Sequence, residues 1–300
     1  MKFWMSLGTL FTLVLTVSAQ DAGDEDQLVD GWNNQGNFQF LFNQSAFNKD
    51  WTGGGTSSIA GNLNANIEFN YTKDRVTWEN DIILEYGLTK QDTDPFTRKT
   101  NDRIEINSVY GYEVNKDDDT AYYSFFINAM TQATKGYTFK KDSLGNTIRT
   151  ERTNFFSPGY LQAGPGYLYK KGSFLSINLA PSTARIIMVD DKFTSGTDYV
   201  DRSYFGVASG EERRYELGAS LNAFYKLTLL ENITMDNKLL LYSNYLDQPG
   251  NVDINYLAHI KMKVNDWVSA KFIFQAIYDD NAVGAFQIRE VSGLGLSYTL

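Results

Sequence analysis

The sequence predicts an all-β protein: a transmembrane antiparallel up-and-down β-barrel of about twelve strands. Three observations predict it. Hydrophobicity alternates with period two along long segments, the connections between those segments alternate between short and long, and outward aromatics gather at the segment ends. From Ile59 to Tyr71 every second residue is apolar or small, and Asn62, Asn64, Asn66, Glu68 and Asn70 lie between them. Alternate side chains of a strand point to opposite faces, so this segment has one greasy face and one wet face. At roughly 13 residues it exceeds the usual soluble strand and is long enough to cross a bilayer at a tilt.

The N-terminus reads as an export signal. Lys2 precedes an apolar run from Leu7 to Val17, and Val17-Ser18-Ala19 supplies small residues for cleavage after Ala19. The run is shorter than the roughly 20 residues of a membrane-spanning helix. The expected organisation is a signal peptide over 1–19, a periplasmic segment over 20–32 and a barrel over 33–300. With no Cys, neither a lipidation site nor a disulfide framework is expected.

The strands follow in order. Asn37 to Asn43 turns Phe38, Phe40 and Phe42 to one face and leads through a Gly-rich loop to the Ile59–Tyr71 strand and a tight turn at Lys73-Asp74. Val76 to Thr89 carries Trp78, Ile82, Leu84, Tyr86 and Leu88 outward, and Arg103 to Val114 repeats the pattern before the turn at Asn115–Asp119. Ala121 to Gln132 follows, then a long polar loop, 133–158. Tyr160 to Tyr169, Leu175 to Met188 and a second long loop, 190–213, come next. Arg214 to Leu229, Ile233 to Tyr245, Val252 to Val264, Val268 to Tyr278 and Gln287 to Leu300 complete the set. Barrels of this class have short periplasmic turns and longer extracellular loops, so the termini are expected in the periplasm. Aromatics then fall at both rims: Tyr71, Trp78, Tyr112, Tyr123, Tyr169, Tyr225 and Tyr298 at one, Phe42, Tyr86, Tyr245 and Tyr278 at the other. Trp267 has the wrong parity for this belt.

Composition agrees with a wet lumen and a greasy exterior. Aromatics make up 15% of the chain, yet mean hydropathy is only -0.36. The net charge of -9 lacks the basic footprint of a nucleic-acid binder.

The residues that carry chemistry are few. The single histidine, His259, has no serine opposite it on the adjoining strand, where Lys271 and Ile273 are expected, so a Ser-His hydrolase is disfavoured and no enzyme activity is expected. Asp279-Asp280, Asp190-Asp191 and Asp117-Asp118-Asp119 lack the spaced ligands of a dedicated calcium loop and read as solvated turns, so neither a metal site nor a cofactor is expected. Gly293-Leu294-Gly295 sits inside a strand, where its glycines shape the barrel wall. The charges facing the lumen are more informative. Glu68, Glu79, Asp81, Glu85, Glu105 and Glu113 project inward from the second to fourth strands, and His259, Lys261, Lys263, Lys271 and Arg289 from the tenth to twelfth. In a closed barrel of twelve strands these sets form an acidic wall and an opposed basic wall.

Several motifs resemble an uncharacterised Bacteroidetes outer-membrane family known as domain of unknown function 3078. They are Trp51-Thr52-Gly53-Gly54, Trp78 with Tyr86-Gly87-Leu88-Thr89, Ala180-Pro181-Ser182, Tyr204-Phe205-Gly206-Val207 with Gly210, Asn232, Ser243-Asn244-Tyr245-Leu246, Val252-Asp253-Ile254-Asn255 and Tyr278-Asp279-Asp280. Ala208-Ser209 and Tyr256 depart from its pattern, the first in an outer loop where it bears on ligand preference. The resemblance implies a barrel and no assigned activity.

Two functions in different classes follow. One is a channel or porin-like conduit for small polar solutes, with the two walls as selectivity groups. The other is a closed barrel serving as scaffold or surface-binding module, in which the loop aromatics Tyr137, Phe139, Phe155, Phe156, Tyr199, Tyr204 and Phe205 contact a partner or fold down as a plug. The sequence names lipid as the surrounding partner and leaves the oligomeric state open.

Overall fold

The computed structural model describes residues 30–48, 50, 52, 55–116, 118–197, 199–265, 267–282 and 284–299. The expected signal peptide 1–19 and most of the segment 20–32 lie outside them, as do Trp51, Gly53, Gly54 and Asp117. The chain forms β1 (Gly31–Ser45), β2 (Ser58–Lys73), β3 (Val76–Gln91), β4 (Arg98–Asn115), β5 (Asp118–Thr131), β6 (Gly136–Lys141) and β7 (Thr147–Thr153). There follow β8 (Gly159–Lys171), β9 (Leu175–Met188), β10 (Arg213–Leu230), β11 (Ile233–Asn244), β12 (Val252–Lys263), β13 (Val268–Tyr278) and β14 (Gln287–Thr299).

Twelve of these strands close into an antiparallel barrel in the order β1-β14-β13-β12-β11-β10-β9-β8-β5-β4-β3-β2. Every barrel strand pairs with its chain neighbour, β5 reaching β8 past the β6–β7 hairpin. The ring closes where Asn37–Phe42 of β1 meet Leu294–Thr299 of β14, the shortest ladder of the barrel. β1 begins at Gly31, which pairs with Thr72, so residues 31 and 32 are part of the wall. The seam joins the two ends of the sheet into a ring, the form in which a sheet crosses a bilayer. All short turns and both ends of the ring lie at one rim, here the short-turn rim, and all longer connections at the other, the long-loop rim.

The outer face is a continuous apolar belt. Phe38, Phe40, Leu63, Leu84, Ile106, Phe125, Ile127, Leu161, Leu179, Leu217, Leu294 and Leu296 are all exposed there. Around the short-turn rim Trp32 packs against Tyr71 and Trp78 with ring centroids 5.3 and 5.8 Å apart, and Tyr123 meets Tyr167 edge-on. Trp267 belongs to this girdle despite its parity, because it stands in the turn before β13, where no pleat dictates its direction. The Asn265 Oδ1 atom accepts from the Trp267 and Val268 amides at 2.9 and 2.8 Å, and the indole stacks on Tyr298 at 6.1 Å.

The two long loops are more ordered than their polar composition predicts. Residues 133–158 contain the β6–β7 hairpin. Its turn is nucleated by Asp142, whose Oδ1 accepts from the Leu144 and Asn146 amides, with Gly145 at φ +84. Arg149 lies over the rings of Phe96 and Tyr137, and Arg98 over Phe139, which ties the hairpin to the β3–β4 connection. Residues 190–213 fold around Tyr204 and Val207, which pack on Ile187 and Val189 with Tyr160, Phe193, Tyr199 and Phe205 around them.

Candidate functional site

The lumen is the site, because every strand contributes its inward row to it. It is not uniformly wet: Leu41, Ile83, Phe126, Leu168, Leu257 and Ile273 are buried among the polar residues. Between them the charged residues form tiers from one rim to the other.

Nearest the short-turn rim, Lys170 on β8 binds Glu79 on β3, and Arg75 stands 3.9 Å from Glu113 at the end of β4. Lys263, at the end of β12, is exposed at this rim and its carbonyl accepts from Asn232. One tier inward, Asp81 on β3 takes Asn107 at 3.1 Å and stands 3.7 Å from Lys238 on β11. The ring runs β11, β10, β9, β8, β5, β4, β3, so these two side chains come from opposite walls and meet across the axis. Glu68 is held by Asn66 at 2.8 Å, and Lys261 is held by Asp236 at 2.6 Å. The register sets His259 between Asp236 and Ile273, with no hydroxyl on either neighbour.

At mid-height Glu105 is bound by Arg103, Asn107 and Asn128, and Glu85 by Asn101 at 2.8 Å with Arg289 of β14 at 3.6 Å. Lys271 on β13 is buried here. The structure therefore places the predicted acidic residues on β2–β4 and the predicted basic ones on β12–β14. Only β1 separates the two sets in the ring, so they form neighbouring arcs and not the opposed walls expected; Glu85–Arg289 joins the arcs, and Asp81 meets Lys238 of β11, outside the basic set, across the axis.

A tier near the long-loop rim was missed by the sequence. Arg185 on β9 binds Glu216 on β10 and, through Nη1, Asp253 on β12 at 2.7 Å, while its guanidinium covers the Tyr242 ring at 3.8 Å. Arg214 takes Glu216 at 2.7 Å and Asp247 at 3.1 Å. The Nη1 atom of Arg214 also donates to Asn281 Oδ1 at 2.8 Å and to the Gly206 carbonyl at 3.3 Å. Those bonds hold loop 190–213 over the mouth and link it to the β13–β14 connection. Parity hides Arg185: inward residues of β9 are even-numbered at Asn178 and Ala180 but odd-numbered at Thr183 and Arg185, because the ladder to β10 is irregular between them. Lys238 and Arg103 obey parity with Asp236 and Glu105 and were readable from it.

At the same rim carboxylate oxygens of Asp253, Asp279 and Asp280 lie within 4.8 Å of one another, the only such group among the described residues that could hold a cation. Arg185 faces Asp253, and Asn251 and Asn281 donate to Asp280.

Loop 190–213 is fastened from inside by Tyr204. Its hydroxyl donates to the Arg152 carbonyl at 2.8 Å and the Ser157 carbonyl at 3.2 Å, bridging the two long loops. Tyr204→Phe removes these bonds while keeping the ring packed. A cost of about 1–1.5 kcal/mol is expected, which makes proteolytic cleavage within 190–213 roughly tenfold faster with the barrel intact. An unchanged cleavage rate shows that the hydroxyl does not fasten the loop.

A closed ring with a lipid-facing apolar belt, two rims and a charge-lined interior defines a membrane-spanning β-barrel. The model of the family described as "Protein of unknown function (DUF3078)" matches residues 42–137, the same family the motifs resemble. No curated protein matches the chain. Among solved structures it is similar to the translocator domain of the autotransporter NalP from Neisseria meningitidis, at 10% identity over 91% of this chain and 90% of that one, TM-score 0.44. It is also similar to an outer-membrane channel from Pseudomonas putida F1, at 14% identity over 94% of this chain and 99% of that one, TM-score 0.38.

Proposed function

We propose that the protein is an outer-membrane barrel that conducts small polar solutes through a lumen held shut by charge pairs between its walls. The observation that carries this reading is the Asp81–Lys238 contact of 3.7 Å between strands on opposite sides of the ring. Among the described residues, side chains rather than a folded domain block the axis at this tier. A long ion pair such as Asp81–Lys238 contributes little stability when water can reach it, so rotamer changes suffice to part it. The short turns and both termini then face the periplasm and the long loops the exterior, after removal of a signal peptide over 1–19. In this reading the barrel is not an enzyme and needs no cofactor, and its partners are membrane lipid and a small polar solute.

Planar-bilayer recording tests it. The wild type is expected to show brief openings from a closed level, and Asp81→Ala with Lys238→Ala a several-fold longer open time. If neither the wild type nor the correctly folded double variant passes current, the conduit reading fails. The barrel is then a closed scaffold presenting its loops, the reading that the packing of Tyr204 and Phe205 over the mouth favours.

A further inference from the structure

Lys271 is 7% exposed. Its ammonium has no hydrogen bond or ion pair among the described residues. The charged groups that face it are Lys261 from β12, Glu85 from β3, Asp236 from β11 and Arg289 from β14. Lys261 is its direct partner across the β12–β13 ladder, which sets two lysines side by side on the inner face. On the β14 side its partner is Gly293, which offers no side chain at all. Both nearby carboxylates are already engaged: Asp236 accepts from Lys261, and Glu85 accepts from Asn101 and faces Arg289.

Other side-chain nitrogens around it are short of partners. Arg103 Nη1, Arg289 Nε and His259 Nε2 are buried without a hydrogen-bond partner, and Arg289 Nη2 has only its 3.6 Å ion-pair contact with Glu85. They share one neighbourhood: Arg103 is the partner of Glu85 across the β3–β4 ladder, Arg289 stands 3.6 Å from Glu85, and His259 pairs with Ile273, two residues along β13 from Lys271 on the same face. A largely buried lysine with no partner of its own is costly unless an anion compensates it, and guanidinium and ammonium donors together suit an oxyanion.

We propose that Lys271, with Arg289 and Arg103, binds an oxyanion at mid-height of the lumen, namely the carboxylate or phosphate group of a small solute. This deepens the conduit reading and rests on it for the solute class, which becomes small organic anions. Glu85 and Asp236 also face Lys271, so repulsion disfavours bulky polyanions at the site.

Titration calorimetry on the full chain, folded in detergent, with inorganic phosphate and separately acetate at fixed ionic strength, tests the site. Saturable binding of one anion per barrel is expected. Lys271→Met and Arg289→Gln are expected to weaken it by about tenfold or more, and Lys271→Arg to retain it. Heat-dependent gel mobility confirms that each variant is folded. No saturable binding to the wild type, or unchanged affinity in both folded variants, overturns the site. Because binding is read without any current, the two readings fail separately: binding without conduction removes only the conduit, and conduction without binding removes only the anion site.

Discussion

Arg185→Met is expected to lower the stability of the barrel by about 3–5 kcal/mol, the cost of taking one partner out of a buried ion cluster. The Glu216 side chain is fully buried and keeps only Arg214 after the change, while Asp253 is left beside Asp279 and Asp280 with no cation in contact. The heat-modifiable transition in detergent should fall by several degrees, and loop 190–213 should become accessible to protease first. Adding Asp253→Asn should recover part of the loss, because it removes the carboxylate that the arginine served. Acid should recover it too. Burial pushes the Asp279 carboxyl up from its ordinary value, with Arg185 acting in the opposite direction. A carboxyl raised in the native state binds its proton where the unfolded chain has released it, so stability rises as pH falls through the raised value. Without Arg185 that value moves further up, so the deficit of the variant should shrink as pH falls, starting at a higher pH than in the wild type. A variant with unchanged melting at neutral pH means that the cluster does not hold the rim together.

That cluster shows where sequence reading stops. Period two gave the number of barrel strands, their order and the outward belt, because one residue of slip would turn an entire greasy row inward. The acidic and basic rows were readable for the same reason. Arg185 was not, since the irregular stretch of β9 around Pro181 exchanges the inward parity partway along the strand. Leu41, Ile83 and Phe126 escaped for a different reason: alternation says which face a residue takes, and a polar average along that face conceals single apolar members that fill the interior. The meeting of Asp81 with Lys238 depends on the barrel's diameter, which follows from ring closure and strand stagger and from nothing local. Loops 133–158 and 190–213 carried the weakest signal. Their hairpin and aromatic core are held by contacts to other loops, such as Arg149 over Phe96 and Tyr204 on Ser157.

Gly295→Val should prevent the ring from closing. A Cβ at Gly295 would stand 2.2 Å from the Phe40 carbonyl oxygen and 2.9 Å from its carbon, and both are backbone atoms of the partner strand. Gly295 pairs with Leu41 in the β1–β14 seam, which extends only from Asn37 to Phe42, so a displacement there has few other ladder bonds to resist it. Overpacking a core typically costs about 1–3 kcal/mol, and a branched side chain against an unyielding carbonyl belongs at or above the top of that range. Gly293 is the internal control. It shares the parity and the strand, yet its added Cβ would meet Leu41 at 3.4 Å, an ordinary contact, so Gly293→Ala should change stability by less than about 1 kcal/mol. The sequence treated the two glycines alike, as residues that shape the wall; closure distinguishes them. The fraction of chain running as the compact, heat-modifiable band after folding into detergent should therefore collapse for Gly295→Val and stay near wild type for Gly293→Ala. Equal folding of the two variants would mean that the seam tolerates a side chain at 295 and that closure is fixed elsewhere in the ring.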